Sequence, residues 1–324
     1  MPAELFGARF YGHRVPAWHN LGRVSRDKIG AVEALRRVGP YHVVLEPIGD
    51  SGRSEIIRLP TDDDASRCSF GSVDAEYVLV APVELTAAWD AGVGAPVETL
   101  GALRQGRCLF VTMALDTYAV RGDEVRTYFV LAHWMDPRRT SVAFLTPVRV
   151  VCSNTLQMAE RMSQTRVDLA PTSGVRDRIE ECLRQLVHDS LTQSMSLRGV
   201  FQEMAGRTVS RAEAWAVAAS AYPDDDALRR AALDLFDGAG TGMDHPAARG
   251  TAWGLYNAIA ELENFREGDT DAEVAFDVMF GNRRAVMQRA FDATRALCSH
   301  SVRYGGAAAT LEPRMAEEEL VLQR

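Results

Sequence analysis

Three runs decide the reading of this chain: RCLFVTMAL (107–115), VRTYFVLAHWM (125–135) and SVAFLTPVRVVC (141–152). Each is apolar, β-branched or aromatic at most positions, and each has the length of a strand. The connections DTYAVRGDE (116–124) and DPRRT (136–140) are short enough for antiparallel hairpins. After the third run, Ser153 or Asn154 can N-cap a helix over NTLQMAERMSQ (154–164). The segment therefore reads strand–strand–strand–helix, and the expected fold class is α+β with a mainly antiparallel sheet in the first half.

Toward the N-terminus, FGARFYGHRVPAWHNLG (6–22) mixes aromatics with Gly and Pro and reads as an ordered, non-helical arm. Residues 28–38 carry Ile29, Val32, Leu35 and Val38 at helical spacing and stop at Gly39-Pro40. YHVVLEPI (41–48) and SEIIRLP (54–60) read as strands around the turn GDSG, TDDDASR as a polar loop, EYVLVAP (76–82) as the next strand, and VELTAAWDAGV (83–93) as a short helix. From about residue 173 the pattern is helical: VRDRIEECLRQLVHDSLTQSM, RAEAWAVAASAY, DALRRAALDLF, ARGTAWGLYNAIAELENF and a run from 272 to 298. The expected organisation is a sheet domain over 1–172 with the arm at its start, a helical region over 173–304 packed on it, and a small, acidic tail over 305–324.

With 324 residues, 47% hydrophobic and 25% charged, the chain is long enough to bury a core without staples. No stretch reaches the roughly 18–20 apolar residues of a membrane span, and the first residues hold no apolar leader, so a cytoplasmic protein is expected. The five cysteines are scattered and odd in number, which argues against a disulfide framework and against paired-cysteine metal sites. Lys28 is the sole lysine among 36 basic residues. Lys28 follows no glycine-rich loop, which excludes P-loop, kinase and Schiff-base chemistry that needs a placed lysine. The net charge is −8, yet residues 101–180 hold eleven arginines against eight acids. A local basic face is therefore compatible with an acidic whole.

Catalytic signatures are missing: there is no His-Glu-x-x-His, no Gly-x-Ser-x-Gly and no EF-hand loop. GVGAPV (92–97) and GAGTGM (238–243) follow helical runs rather than strands, which is the wrong context for a phosphate loop. His13 and His19 lack a third ligand nearby, and Cys152 lacks a partner histidine. The expectation is no catalytic residue, no metal and no cofactor, and a protein that is not an enzyme. The positive signal is arginine with aromatics. Arg149 alternates with Val148 and Val150, and Arg107 and Arg126 join it on one sheet face if the register allows. Tyr128 and Trp134 supply stacking surfaces there, the combination that suits a single-stranded nucleic acid. The alternative for the same residues is an ordinary sheet face, solvated or covered by helices.

PAWHNLG (16–22), GALRQGRCLFVTMAL (101–115), TPVRVVCSNTL (146–156) and RGTAWGLYNAIAE (249–261) together resemble the phage/plasmid-like protein family, domain of unknown function 932. The resemblance runs from Gly7 to about Ala296. Its motif positions here are Trp18, Gly22, Pro147, Arg149, Cys152, Asn154, Thr155, Gly250, Trp253, Tyr256 and Asn257. The sequence departs from the family pattern before the long helix, where LAPTSGVRDR stands in place of a histidine–threonine pair, and after Asn257, where AIAELENF replaces a Thr-Glu-Tyr continuation. The resemblance implies a phage, prophage or plasmid setting in a bacterial host. It implies no settled activity.

The strand–strand–strand–helix order is similar to the core of phage single-strand annealing proteins, a likeness of fold alone. The expected function is thus an accessory protein of DNA metabolism or recombination that binds or anneals single-stranded nucleic acid. The alternative is a non-enzymatic factor acting on a host protein. Expected partners are single-stranded nucleic acid or a host protein, with self-association into a homo-oligomer and no membrane.

Overall fold

The computed structural model describes residues 5–13, 23–149, 154–155, 165–166, 175–265, 277–278 and 281–299. The fold is α+β. One sheet has the order β10-β9-β8-β7-β6-β1-β2, with β11 also on β9; a second has the order β3-β4-β5. The strands are β1 (Leu5–His13), β2 (Arg23–Ser25), β3 (Val43–Pro47), β4 (Arg53–Arg58), β5 (Cys68–Asp74), β6 (Thr99–Leu103), β7 (Cys108–Val120), β8 (Asp123–Trp134), β9 (Val142–Arg149), β10 (Asn154–Thr155) and β11 (Thr165–Arg166). Pairing is antiparallel except between β1 and β2.

The helices are α1 (Ala31–Val38), α2 (Pro82–Gly92), α3 (Val175–Gly206), α4 (Arg211–Ala221), α5 (Asp226–Asp234), α6 (Ala252–Phe265) and α7 (Asn282–Ser299). Gly30 brings no side chain to cap α1; the Asp90 carboxylate of α2 does so instead, accepting from Ala31 N at 2.6 Å and Val32 N at 3.1 Å. Ser210 and Glu213 form a capping box on α4.

The central strands are apolar on both sides because both sides are buried. Leu109, Val111, Phe129 and Leu131 face a core shared with Leu35, Trp89 and, from α3, Leu183. Phe110, Val130, Ala132 and Phe144 form the opposite face, also buried. Toward the tip of β7–β8 the first face passes into the helical core, where Val120, Val125 and Leu145 meet Phe201, Trp253 and Phe291. The cores thus straddle the junction expected near residue 172.

Four sequence expectations change. The start of the arm, Leu5–His13, is a strand inside the main sheet, between β6 and β2. The rest of the arm, the tail and residues 156–164 lie outside the described residues. EYVLVAP is not a strand: Tyr77 N donates to Asp74 O in a turn, and Leu79 and Val80 are buried without a ladder. The strand is the preceding CSFGSVD, whose alternation is broken at Phe70, where the register with β4 shifts. β7 runs on to Val120, because an extra residue at Leu115 shifts its register with β8 and flips the inward positions from odd to even. The connection is then only Arg121-Gly122, both at positive φ (48° and 91°), as a two-residue hairpin turn requires. Finally, Asn154 and Thr155 do not open a helix; they pair with Arg149 and Val148 as β10.

Candidate functional site

Register decides which of the arginines meet. Arg126 pairs with Val148, whereas Arg149 pairs with Val125, so positions 126 and 149 belong to opposite faces. The Arg149 side chain lies outside the described residues. Arg126 is half-buried and pairs with Glu124 at 3.6 Å. Burial pushes the Tyr128 phenol up, with the guanidinium of Arg126 against it working the other way. Eight residues along β8 from Arg126 lies Trp134, about 26 Å away. The five residues expected on one face therefore split: Arg126 and Tyr128 near one end of β8, Arg107 and Trp134 at the other.

That other end is where cations gather. Arg107 lies over the Phe70 ring at 4.7 Å, and its guanidinium donates to Ser69 O at 2.7 Å and Phe70 O at 3.2 Å. It also faces Asp136 at 3.6 Å. Arg138 donates to both Asp136 oxygens, at 2.9 and 2.8 Å, the bidentate fork that a guanidinium makes to a carboxylate. The Asp136 side chain is only 6% exposed, and that of Arg138 74%. Burial works to raise the Asp136 pKa, but the bonds and charge of Arg138, with the charge of Arg107, overcome it and hold the carboxyl below its ordinary range. Arg139, exposed, lays its guanidinium over the Trp134 indole at 4.4 Å. The indole itself is 5% exposed. Arg104 completes the corner: with Arg139 it acts electrostatically on Cys108, the residue paired with Trp134.

The backbone here is strained. Arg104, Gln105 and Gly106 all take positive φ (49°, 59° and 89°), a left-handed turn between β6 and β7. The Cys68 thiol donates to Gln105 Oε1 at 3.1 Å across the gap to β5. Sequence reasoning read 136–140 only as a connection; the signal available was a pair of arginines four residues beyond a strand that ends in tryptophan.

The motif residues converge elsewhere, where the β7–β8 tip meets α6. Trp253 Nε1 donates to Asp123 Oδ2 at 2.8 Å, both fully buried. Asn257 Nδ2 donates to Trp253 O at 2.8 Å, inside its own helix. Burial drives the Tyr256 phenol far up. Gly250, at φ 66°, accepts from Val209 N at 3.0 Å and so joins the start of α6 to the link between α3 and α4. Pro147 is buried on β9, and the β10 pair Asn154–Thr155 lies against α6. Trp18, Gly22 and Cys152 are outside the described residues. These positions brace the sheet against the helices, the core-packing reading of Trp253, Tyr256 and Asn257.

The remaining candidates have plain surroundings. His13 is 7% exposed, with Nδ1 3.2 Å from Asp27 O. Among the described residues no group of three or more His, Cys, Asp or Glu is placed to hold a metal ion. The GAGTGM loop is filled from within: Glu261 accepts from Thr241 N at 2.9 Å and from its hydroxyl at 2.8 Å. No described helix is long and apolar enough to cross a membrane.

Neither a curated protein nor a solved structure matches the chain. A family model does, over residues 69–297, more than two-thirds of its length and including both the arginine corner and the brace around Trp253. The chain belongs to the domain of unknown function family DUF932.

Proposed function

We propose that the chain is an accessory protein of DNA metabolism, working in the cytoplasm of a bacterial host, that binds single-stranded nucleic acid at the Arg104–Arg107–Arg138–Arg139 corner. The observation that carries the reading is the charge there: the guanidiniums of Arg107 and Arg138 share one buried carboxylate, Asp136, and those of Arg104 and Arg139 lie close enough to the neighbouring Cys108 to act on it, with Arg138 and Arg139 exposed. Asp136 fixes the two it touches without neutralising the set. A preformed surplus of about two positive charges, Arg107, Arg138 and Arg139 against Asp136, answers the phosphate repeat of a nucleic-acid backbone, and Arg offers it planar, paired donors. Arg126, with Glu124 beside it, is a secondary contact at most a strand's length away.

The test is fluorescence anisotropy of a labelled single-stranded oligonucleotide across a salt series. Each phosphate neutralised contributes about −0.7 to the slope of log K against log salt. Two to three contacts predict a slope of about −1.4 to −2, and replacing Arg138 and Arg139 by Ala lowers its magnitude by about 1.4. Tight binding would make strand annealing the next assay. No binding at low salt, or a double variant that binds like the parent, would overturn the reading and leave a protein partner in its place.

A further inference from the structure

Resting on that reading, we infer that Arg139, not Trp134, is the base-stacking platform of the site: a nucleobase lies on the outer face of the Arg139 guanidinium, making a base–guanidinium–indole stack. The indole cannot serve directly. Trp134 is 5% exposed, and the ring face that a base would need already carries the guanidinium at 4.4 Å. Covering one face of a flat cation leaves the other, and Arg139 is exposed. Guanidinium planes are surfaces on which unpaired bases stack, and an underlying aromatic ring fixes the plane in advance.

The neighbours divide the remaining work. Arg107 is bonded to Ser69 O and Phe70 O, lies on the Phe70 ring and is mostly buried, so its charge reaches the site but its plane is not offered to a base. Arg138 is turned edge-on to Asp136 by its two bonds, leaving its outer edge for a phosphate oxygen. The turn is tied by Arg139 N to Asp136 O at 3.0 Å, so the phosphate-facing and base-facing arginines are held by the same residue. The ligand class is therefore a strand with accessible bases. A duplex, whose bases are already stacked, presents only its phosphates to this corner.

The experiment compares an oligothymidylate with an oligomer of equal length built from abasic residues, which keeps the phosphates and removes the bases. The parent and Arg139→Lys, which keeps the charge and loses the plane, are each titrated across a salt series. A stacked base contributes about 1–3 kcal/mol, so the parent binds the thymidylate about 5- to 150-fold more tightly than the abasic strand. Arg139→Lys brings that ratio close to one with the salt slope unchanged. A parent ratio near one, or an Arg139→Lys protein that keeps the full ratio, overturns the stacking inference while the nucleic-acid reading stands. Failure of both oligomers to bind at low salt overturns both. Arg139→Gln serves as a second variant: it keeps a smaller plane, loses the charge, and should retain part of the ratio with a shallower slope.

Discussion

Replacing Trp253 by Phe tests whether the β7–β8 tip and α6 form one cooperative structure. The indole Nε1 donates to Asp123 Oδ2 at 2.8 Å, and both residues are fully buried. Phenylalanine removes the donor and leaves a buried carboxylate with one partner fewer. A hydrogen bond to a charged group contributes about 1.5–3 kcal/mol. The smaller ring also leaves a void of about one methylene group beside Phe201, which packs at 4.7 Å, for about 1 kcal/mol more. The expected loss is about 2.5–4 kcal/mol, or roughly 5–15 °C in melting temperature at the usual 2–4 °C per kcal/mol for large domains. Urea unfolding of Trp253→Phe, Asp123→Ala and the double variant isolates the pair. The reasoning requires a coupling above about 1 kcal/mol and coincident transitions by circular dichroism and tryptophan fluorescence. Additive losses would refute it, because they would mean that the bond exists without holding the sheet to the helices.

Other outcomes follow from single groups. Burial lowers the His133 pKa below its ordinary value, with Nε2 on Val80 O and Nδ1 on Ser141 Oγ, both at 2.9 Å. The unfolded chain then takes up the proton first, so stability present above about pH 6.5 is lost as pH falls through that value, by up to about 1.4 kcal/mol per pH unit. Chemical denaturation between pH 7.5 and 5 should show this slope, and His133→Gln should flatten it. Gly254→Ala would set a methyl group 1.9 Å from Ala248 O, a backbone atom that cannot step aside. Its cost should be about 3 kcal/mol or more, read as a lower denaturation midpoint or loss of soluble protein. Glu261→Ala frees the amide and hydroxyl of Thr241, and a loss of about 1 kcal/mol is expected from thermal melts, with faster proteolytic cleavage near residues 238–243.

Periodicity carried the fold wherever a segment kept one period. β8, β9, α1, α2, α4 and α5 sit close to where their apolar spacing places them. It failed where one extra residue changed the phase. Leu115 on β7 and Phe70 on β5 each break alternation, so a long strand looked short and a real strand went unread. EYVLVAP misled for the opposite reason: its apolar residues are buried by packing under α2 and by a bond to His133, not by pairing. The site was legible in kind rather than in place. Arg107 and Trp134 stand at the corner, but Arg126 and Arg149 could not be placed without register, because a slip of one residue reverses every face. Arg138 and Arg139 escaped because a turn that reads as a connection carries no period at all. The motif positions Trp253, Tyr256 and Asn257 are all buried where the sheet meets the helices, as their helical spacing in an apolar run predicts.

The bond between Asp123 and Trp253 spans 130 positions of the chain, which sets an order of events during synthesis. At 5–20 residues per second the ribosome delivers the indole roughly 7–25 s after the carboxylate it must meet. For that interval the hairpin tip, with Val120 and Val125 beside the acid, has no cover from α6. A nascent chain halted before residue 250 would present an apolar ribbon end carrying a bare carboxylate, the kind of surface that chaperones hold. The charge at that end is itself protective: it keeps two such tips apart until the helix arrives to bury it.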